Sequence, residues 1–510
     1  MKLLRRNLIK GKNKFSNVSI GSLKKMPERV LQFGEGNFLR AFVDWQFNLL
    51  TKAGLFDGCI VIVQPLERGM IEELNYQDGL YTVIQRGYEQ GKLVKKMDVV
   101  TVVSRGINPY SDFNEFLNCA ANPHLRYVIS NTTESGIEYV KTENPTSQCP
   151  PSYPAKVAIL LIKRFEKFKG DLSKGLIIIP CELIEQNGEM LKQHIIQHAK
   201  DWNCGDNFIS WLEQSNYFCN TLVDRIVTGF PKTEVEELTQ LIGYEDKLMA
   251  TCEVFHKWVI HANPIVQKEL PFDKIGLNVI WTDDIFSHRT LKVRILNGAH
   301  TTFTIPAFLA GKDFVNESLD DEVVGKFIRS SLMDEILPTI RFTQSEKEKF
   351  ADAVIERFNN PFIKHELLSI SLNSVSKFKV RVLPSLLGYQ KLFNKIPFRL
   401  CLSLAALIRF YKPFEKKEYK FLGEYQGKKY QINDSPDVVN YFDEMWKQNG
   451  NDQDSLIKNI LSQTQFWGKD ISTVPGLLDT TLKYLQKIET DGMISTMKEI
   501  EFLHQIKETE

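Results

Sequence analysis

At 510 residues the chain is longer than one hydrophobic core usually supports, so two or three domains are expected. Apolar residues make up 43% and charged residues 25%, which is the composition of an ordinary globular protein. The formal net charge is +1, from 64 basic and 63 acidic residues. Bulk electrostatics therefore gives no reason to expect a nucleic acid or an anionic membrane as a partner.

The eight cysteines are scattered along the chain and include no CxxC pair, which favours reduced thiols over a disulfide framework or a zinc cluster. His194 and His198 have the spacing of a metal pair, but no further ligand stretch lies near them, so no metal site is predicted. The basic N-terminus lacks the apolar run of a secretory signal, and no stretch reaches the roughly 18 apolar residues of a membrane span. These features predict a cytoplasmic protein.

The first half of the chain alternates short β-branched runs with helical stretches. Glu28 to Gly34 and Gly58 to Pro65 are predicted strands, and residues 37–50 between them are a predicted amphipathic helix. Four later runs continue the pattern, namely LYTVIQRG, MDVVTVVS, RYVISNTT and KGLIIIPCE. Strand, helix and strand at this spacing predict parallel crossovers and a doubly wound α/β domain over residues 1–285.

Helical patterns dominate from Phe286 onward and predict an all-helical domain over residues 286–510. Within it, Leu400 to Tyr411 is an apolar run too short to span a membrane and is predicted to be a buried helix. The lysine-rich interruption from Lys412 to Ile432 is predicted to be a solvated loop or a hairpin. The fold class is therefore an α/β domain followed by a helical domain.

A glycine turn follows the first predicted strand. The strand ends at Phe33 and runs into Gly34-Glu35-Gly36 before the next helix. The first glycine permits a tight turn, the second permits close approach of a pyrophosphate, and the helix N-terminus attracts phosphate charge. Leu39 occupies the third-glycine position, so the dinucleotide fingerprint is incomplete and a plain strand-to-helix turn remains an alternative.

The residue that binds the ribose hydroxyls of a dinucleotide is expected at the end of the second strand. Gln64 occupies that place, and Glu67 follows three residues later. Because Gln64 is neutral, the local residues leave the choice between NAD and NADP open.

A second group of polar residues lies just inside the helical half, at Lys292, Asn297 and His300. On an α-helix these side chains fall within an arc of about 140°. A lysine whose pKa is lowered by burial can exchange a proton with a hydroxyl group, while the amide and the imidazole bind the reacting oxygen. The alternative is a solvated lysine beside a hydrogen-bonded histidine.

Together the two stretches resemble the mannitol dehydrogenase family of metal-independent, long-chain polyol dehydrogenases. The family motif GxGxF followed by Arg is matched by Gly34, Gly36, Phe38 and Arg40, and its K-x4-N-x2-H motif is matched by Lys292, Asn297 and His300. The resemblance implies a Rossmann-type N-terminal domain, hydride transfer with NAD, and Lys292 as the general acid and base. Cofactor contacts are then expected from Phe33, Gly34, Gly36, Asn37, Phe38 and Gln64.

The resemblance also implies substrate contacts from Asp224 and Lys377. The polyol enzymes carry Asn where this chain has Leu183, and Arg where it has Ser369, so the expected substrate is a sugar acid rather than mannitol. A carboxylate needs a cation, and the candidates are Lys364, Lys377, Arg381 and Arg225. A dinucleotide-binding sensor without turnover is an alternative of another class, which the complete Lys292, Asn297 and His300 set speaks against.

Overall fold

The computed structural model describes residues 1–10, 15–132, 136–145, 148–417 and 420–509. It divides the chain into two compact units, Met1–His288 and Arg289–Glu510, each described by itself below. Within the described ranges, every helix is too short or too polar to cross a bilayer.

In the described part of the chain, a six-stranded parallel sheet forms the centre of the N-terminal unit. Its strands in chain order are Glu28–Phe33, Cys59–Val63, Val103–Ile107, Tyr127–Ser130, Ile177–Pro180 and Tyr217–Phe218. Counted along the chain, their order across the sheet is 3-2-1-4-5-6, which is the order of the Rossmann fold. The predicted doubly wound sheet is confirmed for these strands.

Alternate residues of the parallel strands enter two separate cores, because successive side chains of a strand point to opposite faces. Leu31 and Val128 pack in one core with residues of the helix Tyr153–Phe168. Val30 and Ile129 pack in the other core with Phe47 and Trp258 among others. Both faces are covered, which explains why these strands are continuous apolar runs in the sequence.

One predicted strand, LYTVIQRG, and the first half of another, MDVVTVVS, lie outside the parallel sheet, while Val103 and Ser104 at the end of MDVVTVVS belong to it. Tyr81–Glu89 and Lys92–Val100 pair antiparallel as a hairpin, joined by Gln90 and Gly91, which have φ of 53° and 74°. The other strands of this second sheet are Ser19–Ile20, Ala250–Glu253 and Val227–Gly229. The prediction that these runs join one parallel sheet is wrong for the hairpin, because burial makes a run apolar whichever way its neighbours point.

The remaining elements up to residue 291 surround these sheets. A third sheet contains Asn220–Asp224, Lys257–His261 and Val279–Trp281. The α-helices are Arg6–Ile9, Asn37–Leu39, Trp45–Lys52, Ile71–Tyr76, Phe113–Asn118, Tyr153–Phe168, Asn187–Asp201, Asp206–Ser215, Val235–Ile242, Pro264–Glu269 and Ile285–Leu291. A π-helical turn, Arg40–Asp44, joins two of them into one continuous helix after the glycine turn.

Helices form most of the C-terminal unit. They are Gly298–Leu309, Val315–Asp320, Glu322–Ser330, Gln344–Phe358, Leu367–Ile370, Ser374–Arg381, Leu383–Phe393, Phe398–Phe410, Pro436–Asn449, Gln453–Ser462, Thr464–Trp467, Leu477–Thr490 and Met493–Thr509. The segments Lys292–Asn297 and Ser331–Ile336 are π-helical. The predicted buried helix is confirmed as Phe398–Phe410, which is buried from Arg399 onward.

The all-helical prediction is wrong for the lysine-rich segment. Pro413–Lys417, Lys420–Tyr425 and Lys428–Ile432 form an antiparallel sheet. Phe421 and Tyr430 turn inward and are buried, while lysines between them face outward. The high lysine content hides this alternation in the sequence, and the prediction of a solvated loop or a hairpin lacks the third strand.

Candidate active site

The glycine turn of the N-terminal unit has the geometry that the sequence predicts. Gly34 has φ of 124°, and a Cβ there would lie 3.0 Å from Leu39 Cδ1 and 3.2 Å from the backbone oxygen of Asn131. Only glycine fits, and Leu39 fills the space that a third glycine would leave. At Gly36, no atom of the described chain lies within 4 Å of the Cβ position. A ligand can therefore approach the backbone at Gly36.

Arg40, the last residue of the family motif, stabilises this turn through hydrogen bonds from its buried side chain. It is 1% exposed, and its guanidinium group donates to the backbone oxygens of Glu35 and Leu248 and to Asn37 Oδ1 (2.7 Å). The Asn37 side chain is also close to Gly229, where a Cβ would lie 2.7 Å from Asn37 Nδ2. Arg40 therefore fixes the turn and the orientation of Asn37, a role that the sequence motif did not reveal.

A buried carboxyl group lies in the same helical segment. Asp44 accepts a hydrogen bond of 2.5 Å from the hydroxyl of Tyr81, and burial raises the pKa of Asp44 to about 7. The guanidinium of Arg40 lies 5.1 Å from the centre of the Tyr81 ring. The π-helical turn Arg40–Asp44 thus contributes both Arg40 and Asp44 to a buried polar cluster with Tyr81.

Gln64 is at the end of the second strand, as predicted, and is 3% exposed. Its amide donates to the backbone oxygens of Leu66 (2.9 Å) and Glu67 (3.0 Å), so it fixes the loop that follows. A Cβ on Gly69 would lie 2.1 Å from Glu35 Oε1 and 2.5 Å from Gln64 Cδ. The acidic group beside Gln64 is therefore Glu35, which comes from the glycine turn and not from the second strand.

Glu35 is a residue that sequence reasoning missed. It is 9% exposed, and burial raises the pKa of its carboxyl group above the usual value. Its Oε2 atom is buried and has no hydrogen-bond partner within the described residues. The only sequence signal was its position between two glycines, which says nothing about where its side chain points.

The two aromatic residues of the predicted cofactor site pack into the protein. Phe33 is fully buried, with its ring 5.1 Å from Tyr153 and 5.8 Å from Phe116. Phe38 stacks on Phe42 at 5.1 Å. The Phe33 side chain therefore belongs to the core, and at most its backbone borders a ligand.

A cavity of about 230 Å³ lies in the N-terminal unit. It is lined by Pro65, Leu66, Thr132, Gly136, Glu138, Val140, Pro151, Ser152 and Tyr153. The lining follows the carboxyl ends of the second and fourth parallel strands, which is where open α/β sheets bind ligands. Its lining is largely apolar, which suits a flat ring.

Asp224 and Arg225 come at the end of the strand Asn220–Asp224, and each is 6% exposed. The Arg225 guanidinium donates to the backbone oxygens of Glu253 and Ala41 and to Gln85 Oε1, and it lies 4.4 Å over the ring of Trp45. Arg225 is therefore committed to bonds inside the unit. We correct its prediction as a carboxylate ligand for this reason.

In the C-terminal unit, Lys292, Asn297 and His300 lie on one continuous helical segment, but not on a regular α-helix. Lys292–Asn297 is π-helical and Gly298–Leu309 is α-helical. In a π-helix the backbone hydrogen bond joins residues five apart, so Asn297 lies about one turn after Lys292. The angle about the helix axis that contains Lys292, Asn297 and His300 is therefore smaller than the roughly 140° expected for an α-helix. Lys292 and Asn297 are half-buried and His300 is buried.

Two contacts fix this segment from outside. Arg294 donates to Ser385 Oγ at 2.6 and 2.9 Å and to Thr339 Oγ1 at 2.9 Å. Gly298 allows close approach of the helix Ser374–Arg381, because a Cβ there would lie 3.1 Å from the backbone oxygen of Arg381. π-helical turns of this kind are often found at functional sites.

His300 is held between aromatic rings. It stacks on Phe358 at 4.2 Å and meets the ring of His365 edge-on at 5.3 Å. Burial, and then the charges of neighbouring basic residues, hold the pKa of His300 well below its usual value. Its Nε2 atom is buried with no partner in the described part of the chain. A neutral imidazole is thus positioned to bind an oxygen of a ligand.

The remaining predicted substrate residues separate into two groups. Lys377 and Arg381 are half-buried, with Lys377 Nζ 2.8 Å from the backbone oxygen of Ile370 and Arg381 Nη1 3.5 Å from Thr301 Oγ1. Lys364 and Ser369 are exposed. Leu183, in the N-terminal unit, is 54% exposed. Of these residues, Arg381 and Lys377 have charges that lower the pKa of His300.

Taken together, the Rossmann sheet with its glycine turn and the helical unit define a two-domain Rossmann-fold protein. Residues 28–274 match the family model described as the mannitol dehydrogenase Rossmann domain, and residues 284–489 match the mannitol dehydrogenase C-terminal domain. The chain belongs to the mannitol dehydrogenase family.

Among its relatives, the altronate oxidoreductase of Shigella flexneri is 43% identical over 471 residues, which cover 92% of this chain and 95% of the relative. The altronate oxidoreductase of Escherichia coli O139:H28 has the same identity and coverage. The similarity therefore extends through both units.

Two solved structures share the fold. A substrate-free D-sorbitol dehydrogenase aligns over 97% of this chain and 100% of its own, with a TM-score of 0.78 and 20% identity. Mannitol 2-dehydrogenase of Pseudomonas fluorescens, in a ternary complex with NAD and D-mannitol, aligns over 98% and 99% with a TM-score of 0.68 and 19% identity. At these identities the likeness concerns the fold.

Proposed function

We propose that this protein is an NAD-dependent oxidoreductase that interconverts D-tagaturonate and D-altronate. The observation that carries the proposal is the 43% identity, over 92% of the chain, to an enzyme named altronate oxidoreductase. The Lys292, Asn297 and His300 group supports it, because an amine, an amide and a neutral imidazole on one helical segment suit carbonyl–alcohol chemistry.

The N-terminal unit offers groups that fit a dinucleotide. The open space at Gly36 admits a pyrophosphate to the backbone and to the start of the helix. Glu35 Oε2, which has no partner among the described residues, can accept a hydrogen bond from a ribose hydroxyl. A carboxyl group at that place favours NAD, because an additional phosphate on the ribose would meet an acid.

Bound NAD supplies the hydride acceptor, and its reduced form the hydride donor, for the substrate carbon. Lys292 takes the proton from the hydroxyl group of altronate, so that a carbonyl oxygen remains. In reduction Lys292 returns that proton to the oxygen, which restores the hydroxyl group. The Asn297 amide donates to the oxygen as negative charge develops on it, and His300 Nε2 fixes its position.

Other roles in the proposal rest on the family resemblance. Asp224 and Lys377 bind hydroxyl groups of the sugar acid, and Phe33, Asn37, Phe38 and Gln64 shape the dinucleotide site through backbone contacts or packing. All eight cysteines are free thiols, in keeping with a reaction in the cytoplasm.

Initial rates with D-altronate, D-mannonate and D-mannitol at equal concentration test the proposal, with NAD⁺ and with NADP⁺. We expect the highest kcat/KM for D-altronate with NAD⁺. A higher value for D-mannonate would assign the protein to fructuronate reduction, and one for D-mannitol would make it a polyol dehydrogenase. NADH binding without turnover of any keto acid would indicate a sensor.

A further inference from the structure

Basic side chains surround His300 in the C-terminal unit. After burial, the charges that weigh most on its pKa are those of His365, Arg357, Arg381 and Lys377, and all four groups are basic. The His365 ring centre is 5.3 Å from that of His300, and His300 Nε2 is a buried atom without a partner in the described ranges. A buried imidazole among basic groups is stabilised when an anion enters the same space.

Lys377 and Arg381 are four residues apart on the helix Ser374–Arg381, so their side chains lie on the same face. Like charges at this spacing repel each other, and an anion bound between them removes that cost. Asp434 also acts on Lys377, but its Oδ2 accepts from the Tyr411 hydroxyl at 2.5 Å. Its Oδ1 accepts from the backbone of Ser435 at 2.8 Å. Both oxygens of the Asp434 carboxylate therefore accept hydrogen bonds from groups other than Lys377.

Arg381 is tied to the helical segment that carries His300. Its Nη1 atom is 3.5 Å from Thr301 Oγ1, and its backbone oxygen faces Gly298 closely. The guanidinium group therefore lies beside Thr301, the residue that follows His300 on the helix. A planar guanidinium with paired donors matches the two oxygens of a carboxylate, which makes arginine the best side chain for this task.

We infer that Arg381, with Lys377 one helical turn before it, binds the carboxylate of the sugar acid and makes the site specific for acids over polyols. This inference rests on the proposed function. The keto carbon and the carboxylate lie toward opposite ends of the tagaturonate chain. Two anchor points on different elements, the segment from Lys292 to His300 and the helix Ser374–Arg381, suit such a molecule. The exposed Lys364 and the internally bonded Arg225 take no part in binding it.

The test compares D-altronate with D-altritol, the polyol of the same skeleton that lacks the carboxylate. For wild type, Arg381→Met, Arg381→Lys and Lys377→Met, kcat/KM with NAD⁺ is measured, and Kd for each ligand is measured by calorimetry. Arg329→Met, an exposed arginine in the same unit, is the matched control. Loss of a charge-assisted hydrogen-bond pair lowers affinity by about 10- to 100-fold.

We expect Arg381→Met to bind D-altronate no more tightly than D-altritol, with D-altritol binding unchanged, and Arg381→Lys to fall between. Equal losses for both ligands, or no loss for D-altronate, would overturn the inference. Wild type that binds D-altronate through Arg381 without oxidising it would refute the proposed function and leave the carboxylate assignment standing. If the wild type oxidises D-altronate and Arg381→Met binds it normally, the proposed function would stand and the carboxylate assignment would be refuted.

Discussion

The glycine turn and the Lys292 segment differ in how they use their basic side chains. Around the turn, the donors of Arg40 are directed at protein acceptors and hold the backbone in place. Around the Lys292 segment, His300 keeps a buried nitrogen without a partner among described residues, and burial together with basic neighbours lowers its pKa. Arg40 of one family motif therefore serves architecture, while His300 of the other motif keeps a nitrogen that a ligand can bind.

This difference has a physical reason. A pyrophosphate is bound by backbone N–H groups, so the side chains around a glycine turn are needed to fix the backbone. A carbonyl oxygen that gains negative charge is bound by side chains. The hydrogen-bonding atoms of those side chains must be accessible when the substrate arrives. Variants in the two regions should consequently change different kinetic constants.

The largest effect is expected for Lys292→Ala. Removal of the proton-transfer group should lower kcat by about 100- to 10,000-fold. The Kd for NADH, measured by fluorescence, should stay within a factor of two or so of wild type, since the glycine turn is untouched. Lys391→Ala, an exposed lysine in the same unit, is the control. Normal turnover of Lys292→Ala would remove the lysine from its role.

Arg40→Met should act on the other region. It leaves the backbone oxygens of Glu35 and Leu248 without their buried donor, which costs about 1–3 kcal/mol for each unsatisfied group. We expect a lower melting temperature and a KM for NAD⁺ raised by about tenfold or more, with the KM for D-altronate unchanged. Arg40→Lys, which keeps the charge but loses the fork, should be intermediate. Equal rises in the KM for NAD⁺ and the KM for D-altronate would show that Arg40 does not act on the cofactor site alone.

Gly298→Ala gives a smaller and more local change. The added methyl group would lie 3.1 Å from the backbone oxygen of Arg381, and crowding of this kind costs about 1–3 kcal/mol. Replacing glycine by alanine in a helix returns about 1 kcal/mol, so the effect on the melting temperature should be slight. The KM for D-altronate should rise by several-fold and the Kd for NADH should not. A rise in the Kd for NADH would contradict this.

The smallest effect is expected from Asp44→Asn, as a dependence on pH. Burial raises the pKa of Asp44 from 3.8 to about 7, so the folded protein favours the neutral carboxyl group. That contribution to stability is complete below about pH 4 and is lost as the pH rises through 7. Asparagine stays neutral, so the variant should gain about 1 kcal/mol or more relative to wild type between pH 5 and pH 8. Parallel stability curves from urea unfolding at several pH values would argue against a neutral Asp44.

Much of the fold was predictable because its signals are local. The strands Glu28–Phe33 and Cys59–Val63, and the buried helix Phe398–Phe410, follow from apolar runs and their lengths. The hairpin Tyr81–Val100 was misassigned, although the Gln90-Gly91 turn between its strands was a usable signal. In the lysine-rich segment, the buried Phe421, Tyr425, Tyr430 and Ile432 follow the strand period, but the many charged residues between them hid it.

The candidate site was predictable only as a set of residues. The positions of Lys292, Asn297 and His300 follow from the motif. The angle between their side chains depends on a π-helical segment, which no sequence pattern predicted. The role of Arg40 depends on Leu248, 208 residues away, and contacts at that distance follow from packing alone. For the same reason Arg225, a candidate ligand by charge, turned out to be a structural residue.

The π-helical turn at Lys292–Asn297 also bears on how this site can vary in evolution. Such a turn is equivalent to a single-residue insertion in an ordinary helix, so deleting one residue there would restore regular winding without breaking the helix. Because the π-helical turn already takes up the inserted residue, the remaining spacing of four residues would place the lysine and the asparagine about 40° apart on an α-helix. Lineages that lost the insertion would therefore retain a folded protein in which the lysine and the asparagine still share one helical face.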